Sequence, residues 1–209
     1  NVLSDKKLDF TKNYPAKRLV QGDVGCGKTA IALISAFFAV KSGFQVAVMA
    51  PTSILSDQLF CFFNKYFEEV GIAVVQLSSK TKEKNKIYEM VESGSINVII
   101  GTSALLATSL IFKRVGLIII DEQHKFGAKQ RMALIGKAHD IKPHAIAMTA
   151  TPIPRSLALT IFADYDISRI DELPFGNFSV QTKVINQKRR DEIYKYIKTR
   201  IGKGERTYI

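Results

Sequence analysis

Short aliphatic runs recur along the chain: RLVQ (18–21), QVAVMA (45–50), IAVVQL (72–77), INVIIG (96–101), GLIIID (116–121) and HAIAMT (144–149). Between them, apolar positions at helical spacing predict helices over 28–41, 53–69, 82–93, 127–138 and 154–163. Strands that are apolar at consecutive positions are buried on both faces, and strands separated by helices need long crossovers. Both features predict an α/β domain, a doubly wound parallel sheet with helices on both faces. In such sheets the functional residues gather in the loops at the carboxyl ends of the strands.

The pattern changes at DELPFGNFS (171–179), a stretch of linker character. It restarts with VQTKVI (180–185), read as a strand, then a helix over about 189–201 and the apolar RTYI (206–209). One strand and one helix cannot bury a core of their own. Residues 1–179 are therefore expected to form one domain, and 180–209 the start of a second. No internal repeat or low-complexity segment is present.

Composition narrows the class. An apolar fraction of 46% suits a globular protein rather than a disordered one. No apolar run reaches the roughly 18 residues that cross a bilayer, and NVLSDKKLDF lacks a signal-peptide pattern, so a soluble cytoplasmic protein is expected. Cys26 and Cys61 have neither metal-ligand spacing nor a disulfide framework. The net charge of +11 favours an anionic partner. Much of the excess lies in SSKTKEKNK (78–86) and QKRRDEIYKYIKTR (187–200), where acids are interleaved, so neither run alone defines a nucleic-acid site.

The strand tips carry the chemistry. RLVQ runs into GDVGCGKT (22–29) and then a helical stretch, matching G-x-x-x-x-G-K-[ST] in strand–loop–helix context. Gly22, Gly25 and Gly27 let backbone amides turn inward around phosphate oxygens. Lys28 can reach the β- and γ-phosphates of ATP, and the Thr29 hydroxyl can ligate Mg²⁺. GLIIID delivers Asp121 and Glu122 at its tip, the first placed for Mg²⁺ and the second to polarise an attacking water, with Gln123 and His124 near the γ-phosphate. Plainer roles exist for these groups, as caps of the next segment or as a loop histidine. The remaining tips are PTSILSDQ (51–58), TSALL (102–106) and ATPIPRSLALT (150–160).

Taken in order, GDVGCGKT, APTSILSDQ, DEQH and TATPIPR resemble the first motor lobe of the superfamily 2 helicases and translocases. DEQHKFG, TATPIPRSLALT and IDELPFG are similar to the RecG family within it, over about residues 17–209. The resemblance implies a RecA-like P-loop NTPase fold and an ATP-dependent DNA helicase or translocase. It further implies activity on branched DNA such as stalled forks and Holliday junctions, in repair and recombination, as a monomer in the bacterial cytoplasm. It implies ATP binding by Gly25, Gly27, Lys28 and Thr29, and Mg²⁺ and water handling by Asp121 and Glu122. Coupling would run through His124, Thr149, Thr151 and Arg155, and backbone contacts to DNA through Pro51, Thr52 and Thr102. Helix N-capping would equally explain the two threonines.

The transcription-coupled Mfd family shares GDVGxGKT and TATPIPR, but there the tip usually reads DEEH. A nucleotide-gated DNA-binding module that never translocates is the alternative of another class. Three positions depart from the family wording: Ser103 where His is usual, Cys26 for a common Ser, and Ser79 where Gly is frequent. The same resemblance places a wedge domain before Asn1, and the rest of a second lobe with arginine fingers after Ile209. Such fingers contribute on the order of 10³–10⁵ in rate, so weak MgATP binding and slow turnover are expected of these residues alone.

Overall fold

Every residue of Val115–Ile120, Gln45–Met49 and Val98–Gly101 is buried. Only strands in the middle of a sheet covered on both sides have that profile. The structure is a computed structural model describing residues 14–138, 141–151, 164–171, 182 and 184–208. It divides into two units, Asn1–Pro174 and Phe175–Ile209.

The first unit contains β1 (Lys17–Gly22), α1 (Lys28–Lys41), β2 (Gln45–Met49), α2 (Ser53–Phe67), β3 (Val74–Leu77), α3 (Lys84–Glu92), β4 (Val98–Gly101), β5 (Val115–Ile120), α4 (Ala128–Ile135), β6 (His144–Thr149) and β7 (Asp166–Ile170). The strands form one seven-stranded sheet in the order β3-β4-β2-β5-β6-β1-β7. Every pairing in it is parallel.

Side-chain alternation sorts the core into two layers. Val46, Val48, Ile100, Leu117 and Ile119 face α1 and α2, meeting Ala32, Ala36, Leu59 and Phe63. Ala47, Met49, Ile99, Ile118 and Ile120 face the other way, onto Val91 of α3, Leu134 of α4 and the loop residues Leu105 and Leu110. Truncating Ile118 or Ile119 to Ala should cost about 2–5 kcal/mol, since each is fully buried in a packed layer.

The doubly wound expectation therefore holds. β7 is the addition, and its sequence DISRI explains why its pattern is weak. It is an edge strand with polar residues at three of five positions, and only Ser168 is buried. Buried Arg18 of β1 anchors it through Ser168 Oγ at 2.7 Å. The expected helix over 154–163 lies outside the described residues. No helix among the described residues is long and apolar enough to cross a membrane.

The second unit holds α5 (Arg190–Gly202), preceded by a 3-10 turn at Gln187–Arg189. Arg189 pairs with Glu192 at 2.6 Å. The strand expected over 180–185 does not occur at its described positions, 182 and 184–185, and 205–208 carry no regular structure. Val184 is fully exposed. A strand needs a neighbouring ladder, and among the described residues none pairs with these positions.

Candidate functional site

The sheet order places three tips side by side at one end of the molecule: β5, β6 and β1. β1 and β6 are in register, with Gln21 opposite Thr149, and β6 continues to β5 with Ala147 opposite Ile120. Residues far apart in sequence thus meet at a single edge.

At β1 the chain leaves the sheet through the glycine-rich loop. Gly25 and Gly27 take φ of 82° and 96°, a left-handed conformation that side chains resist. Gly22 needs room rather than an unusual φ, because a Cβ there would collide with the Cys26 sulfur. Cys26 is buried inside the loop and fits it. Lys28 folds back so that its Nζ donates to the carbonyls of Gly22 at 2.7 Å and Asp23 at 2.8 Å. Its ammonium therefore sits at the mouth of the loop, where anionic oxygens would find it. α1 starts on Gly27 with no side-chain cap and no acid in its first turn, which leaves its positive end available to an anion. Thr29 is half-buried in that same first turn.

The β5 tip concentrates cost. Glu122 has φ 46°, the one positive φ outside glycine among the described residues. Strain of this kind survives only where the surroundings enforce it. Asp121 Oδ1 accepts from the Glu122 amide at 3.0 Å. Burial, followed by the neighbouring Glu122 charge, raises the Asp121 carboxyl above the usual aspartate range. The Glu122 amide and the Lys28 charge pull it partly back. Gln123 is buried, and among the described residues neither its amide nitrogen nor its oxygen has a hydrogen-bond partner.

From there polar contacts run along the tips. Glu122 Oε2 lies 3.5 Å from His124 Nδ1 and accepts from the Ala150 amide at 3.4 Å. His124 Nδ1 lies 3.4 Å from Thr149 Oγ1, which in turn is 2.9 Å from Thr151 Oγ1. Gln21 Nε2 of β1 donates to the Thr151 carbonyl at 3.4 Å. Sequence reading did not single out Gln21, although an amide closing the apolar run RLVQ is a signal of a polar neighbour. Arg155 lies outside the described residues.

A magnesium ion fits the donor set. The Asp121 carboxylate and the Thr29 hydroxyl are hard oxygen ligands, and Asp121 is crowded by burial and by Glu122 in a way that a cation would relieve. Among the described residues no three His, Cys, Asp or Glu side chains gather to form a protein cage. Mg²⁺ on a nucleotide is held in that manner, by one or two side chains together with phosphates and water.

The β2 and β4 tips stand further along the same edge. Thr52 is exposed, and its Oγ1 accepts from the Leu55 amide at 3.2 Å as the N-cap of α2, so the capping role is real. Pro51 is half-buried beside it. Thr102 opens the 3-10 turn Ser103–Leu106 without a side-chain cap, and Ser103 is exposed. These residues do not join the contacts running from Glu122 to Gln21.

A phosphate loop, a carboxylate pair and a threonine-bearing tip on adjacent parallel strands define a P-loop domain of the RecA-like kind. The chain belongs to the DEAD/DEAH box helicase family, whose profile matches residues 10–160. Among its relatives, the ATP-dependent DNA helicase RecG of Aquifex aeolicus is 43% identical over 203 residues, 96% of this chain and 26% of that protein. RecG of Haemophilus influenzae is 45% identical over 201 residues, 94% of this chain and 29% of that protein. The chain thus spans under a third of the length of these relatives. The solved structure of RecG bound to a three-way DNA junction superposes with a TM-score of 0.82 at 37% identity, covering 97% of this chain and 27% of that one. The Hef helicase domain of Pyrococcus furiosus, at 20% identity and a TM-score of 0.58, shares the fold.

Proposed function

We propose that the chain is the nucleotide-binding lobe of a RecG-type ATP-dependent helicase or translocase of the bacterial cytoplasm, acting as a monomer on branched DNA. The observation that carries this reading is the convergence of Lys28, Asp121, Glu122 and Thr149 at the β5–β6–β1 edge. The RecG relatives and the RecG–junction complex supply the substrate class. On this reading 180–209 begins the second motor lobe.

In the mechanism, the backbone amides at Gly25–Lys28 and the Lys28 ammonium hold the β- and γ-phosphates. Thr29 and Asp121 would hold Mg²⁺, which when bound neutralises charge developing on the phosphate oxygens. Glu122 orients the water that attacks the γ-phosphorus, releasing phosphate and leaving ADP. His124 touches both Glu122 and Thr149, so loss of the γ-phosphate can be felt at the β6 tip. Thr52 and Thr102 offer amides and hydroxyls to the DNA backbone, with Pro51, which has no N–H, packing beside them; such contacts carry no base information, as movement over any sequence requires.

The test is MgATP binding and steady-state hydrolysis by the 209-residue chain and its Lys28→Ala variant, with and without forked DNA. Weak, Lys28-dependent binding with slow turnover that forks leave unchanged is expected. Binding indifferent to Lys28 would remove the nucleotide assignment. Rapid fork-stimulated turnover would mean that the catalytic arginine lies within these residues, against the single-lobe reading.

A further inference from the structure

Gln21 takes no part in the chemistry above, yet it is a buried amide at the end of β1, directly before the phosphate loop. In the sheet it stands between Thr149 of β6 and Arg169 of β7. β6 ends at Thr149. The Gln21 side chain carries the β1–β6 pairing two residues further, its Nε2 donating to the Thr151 carbonyl at 3.4 Å.

On its other side Gln21 is joined to the residue that holds Lys28. An ammonium has three donors, and the loop takes up all of them. Lys28 Nζ meets the Gly22 carbonyl at 2.7 Å, the Asp23 carbonyl at 2.8 Å and the Cys26 sulfur at 3.9 Å. A phosphate arriving at Lys28 must therefore displace at least one of these contacts. Gly22 has no room to yield sideways, because even a Cβ there would press on the Cys26 sulfur and on Ile170 of β7. A change in the hold on its carbonyl passes along the chain instead, and Gln21 is the next residue.

At the β6 tip two neighbouring amides have different anchors. The Ala150 amide donates to Glu122 Oε2 at 3.4 Å, and the Thr151 amide to Thr149 Oγ1 at 3.2 Å. Ala150 thus belongs to the side of Glu122 and the γ-phosphate. Thr151 carries the carbonyl that Gln21 holds, and its hydroxyl lies 2.9 Å from that of Thr149.

We propose that Gln21 is a positioning residue that ties the filling of the phosphate loop to the β6 tip, a second line of contact beside Glu122–His124–Thr149. Its line answers to the phosphates that ADP and ATP share, whereas the Glu122 line answers to the γ-phosphate that ATP alone carries. The inference rests on the nucleotide reading above and adds to it a residue which that reading did not include.

Hydrogen exchange at single amides, followed by NMR, tests it. The 209-residue chain and its Gln21→Met variant, which keeps a similar volume without a donor, are compared free, with saturating MgADP and with saturating MgATP. In the unmodified chain MgADP is expected to shift the Thr151 exchange rate by about 2- to 10-fold, the range that one neutral hydrogen bond supplies. Gln21→Met should abolish that response, while the further step from MgADP to MgATP persists at Ala150. Gln21→Leu, a second variant without a donor, should behave alike. The inference is overturned if the bound unmodified chain shows no MgADP response at Thr151, if that response survives in both variants, or if the Ala150 step disappears with it. A purely structural role would also overturn it: melting temperature would fall and exchange would rise all along β1 and β6, with the ratio of free to MgADP-bound rates at Thr151 unchanged. An unmodified chain in which neither nucleotide alters exchange at any amide would overturn the nucleotide reading itself.

Discussion

At the β5–β6–β1 tips polar side chains touch in series, from Glu122 through His124, Thr149 and Thr151 to Gln21. At the β3–β4–β2 tips each loop closes on itself: Thr52 caps its own helix, and Ser78 and Thr81 seal their own turn. The first half can pass a local change along a chain of contacts, whereas the second offers separate points of attachment. The connected half also carries the structural costs: a left-handed glutamate, a raised carboxyl and an orphaned amide. A region built for stability alone would keep none of these, and functional sites are where such conflicts are tolerated.

The largest expected effect follows from breaking the connected half at its anchor. Lys28→Ala removes a charged donor to phosphate, worth about 1.5–3 kcal/mol, so MgATP affinity should fall roughly 10- to 100-fold by fluorescence titration. DNA affinity at the other half should not move. Loss of both together would mean that the two halves are not separate.

Asp121→Asn sharpens the contrast through pH. A folded-state pKa raised by burial and by Glu122 favours the protonated form, so ionised Asp121 burdens the fold as pH rises through that pKa. Below the ordinary aspartate value of about 3.9 both states are protonated and the burden vanishes. In nucleotide-free chain Asp121→Asn should therefore raise the melting temperature at neutral pH, and the gain should shrink on acidification. A variant that melts lower at neutral pH would show that Asp121 already stabilises the fold unaided.

These costs mark the limit of what the residues reveal in one dimension. The aliphatic runs announce β2, β4, β5 and β6 because burial on both faces leaves no other pattern, and GDVGCGKT announces its loop because φ and space there demand glycine. β7 escapes notice because an edge strand half in solvent can alternate Asp, Ser and Arg. Two strand starts fall later than their apolar runs. Ile72 is used to close α2 through the Phe67 carbonyl, and Asn97 bonds the Ala73 amide across the gap between β3 and β4. DEQH shows that chemistry sits at the β5 tip, yet neither the left-handed φ of Glu122 nor its contact with the Ala150 amide, more than twenty residues away, is legible in those letters.

Gln123 gives the next largest effect. A buried amide with no partner costs about 1–3 kcal/mol, and Met fills a similar volume without polar atoms. Gln123→Met should raise unfolding free energy by that amount in chemical denaturation, a sign opposite to most core changes. Destabilisation instead would mean that the amide finds a partner in solution. No single substitution at the β2 or β4 tips should stabilise comparably, because among the described residues no orphaned side chain is buried there.

The smallest effects decide what the two threonines are for. Thr52→Ala deletes an observed N-cap and should cost about 1 kcal/mol of stability, while Thr52→Ser keeps the oxygen and should cost little. Thr102 makes no cap, so Thr102→Ala should change stability by less than about 0.5 kcal/mol. If both weaken DNA binding, Thr102 does so without a folding defect, and its hydroxyl is then a contact rather than a structural device. Because among the described residues the Thr52 and Thr102 side chains share no hydrogen bond, the paired variant should show additive losses within about 0.3–0.5 kcal/mol in both stability and DNA affinity. Coupling beyond that would join the β2 and β4 tips into one unit and erase the distinction between the two halves of the edge.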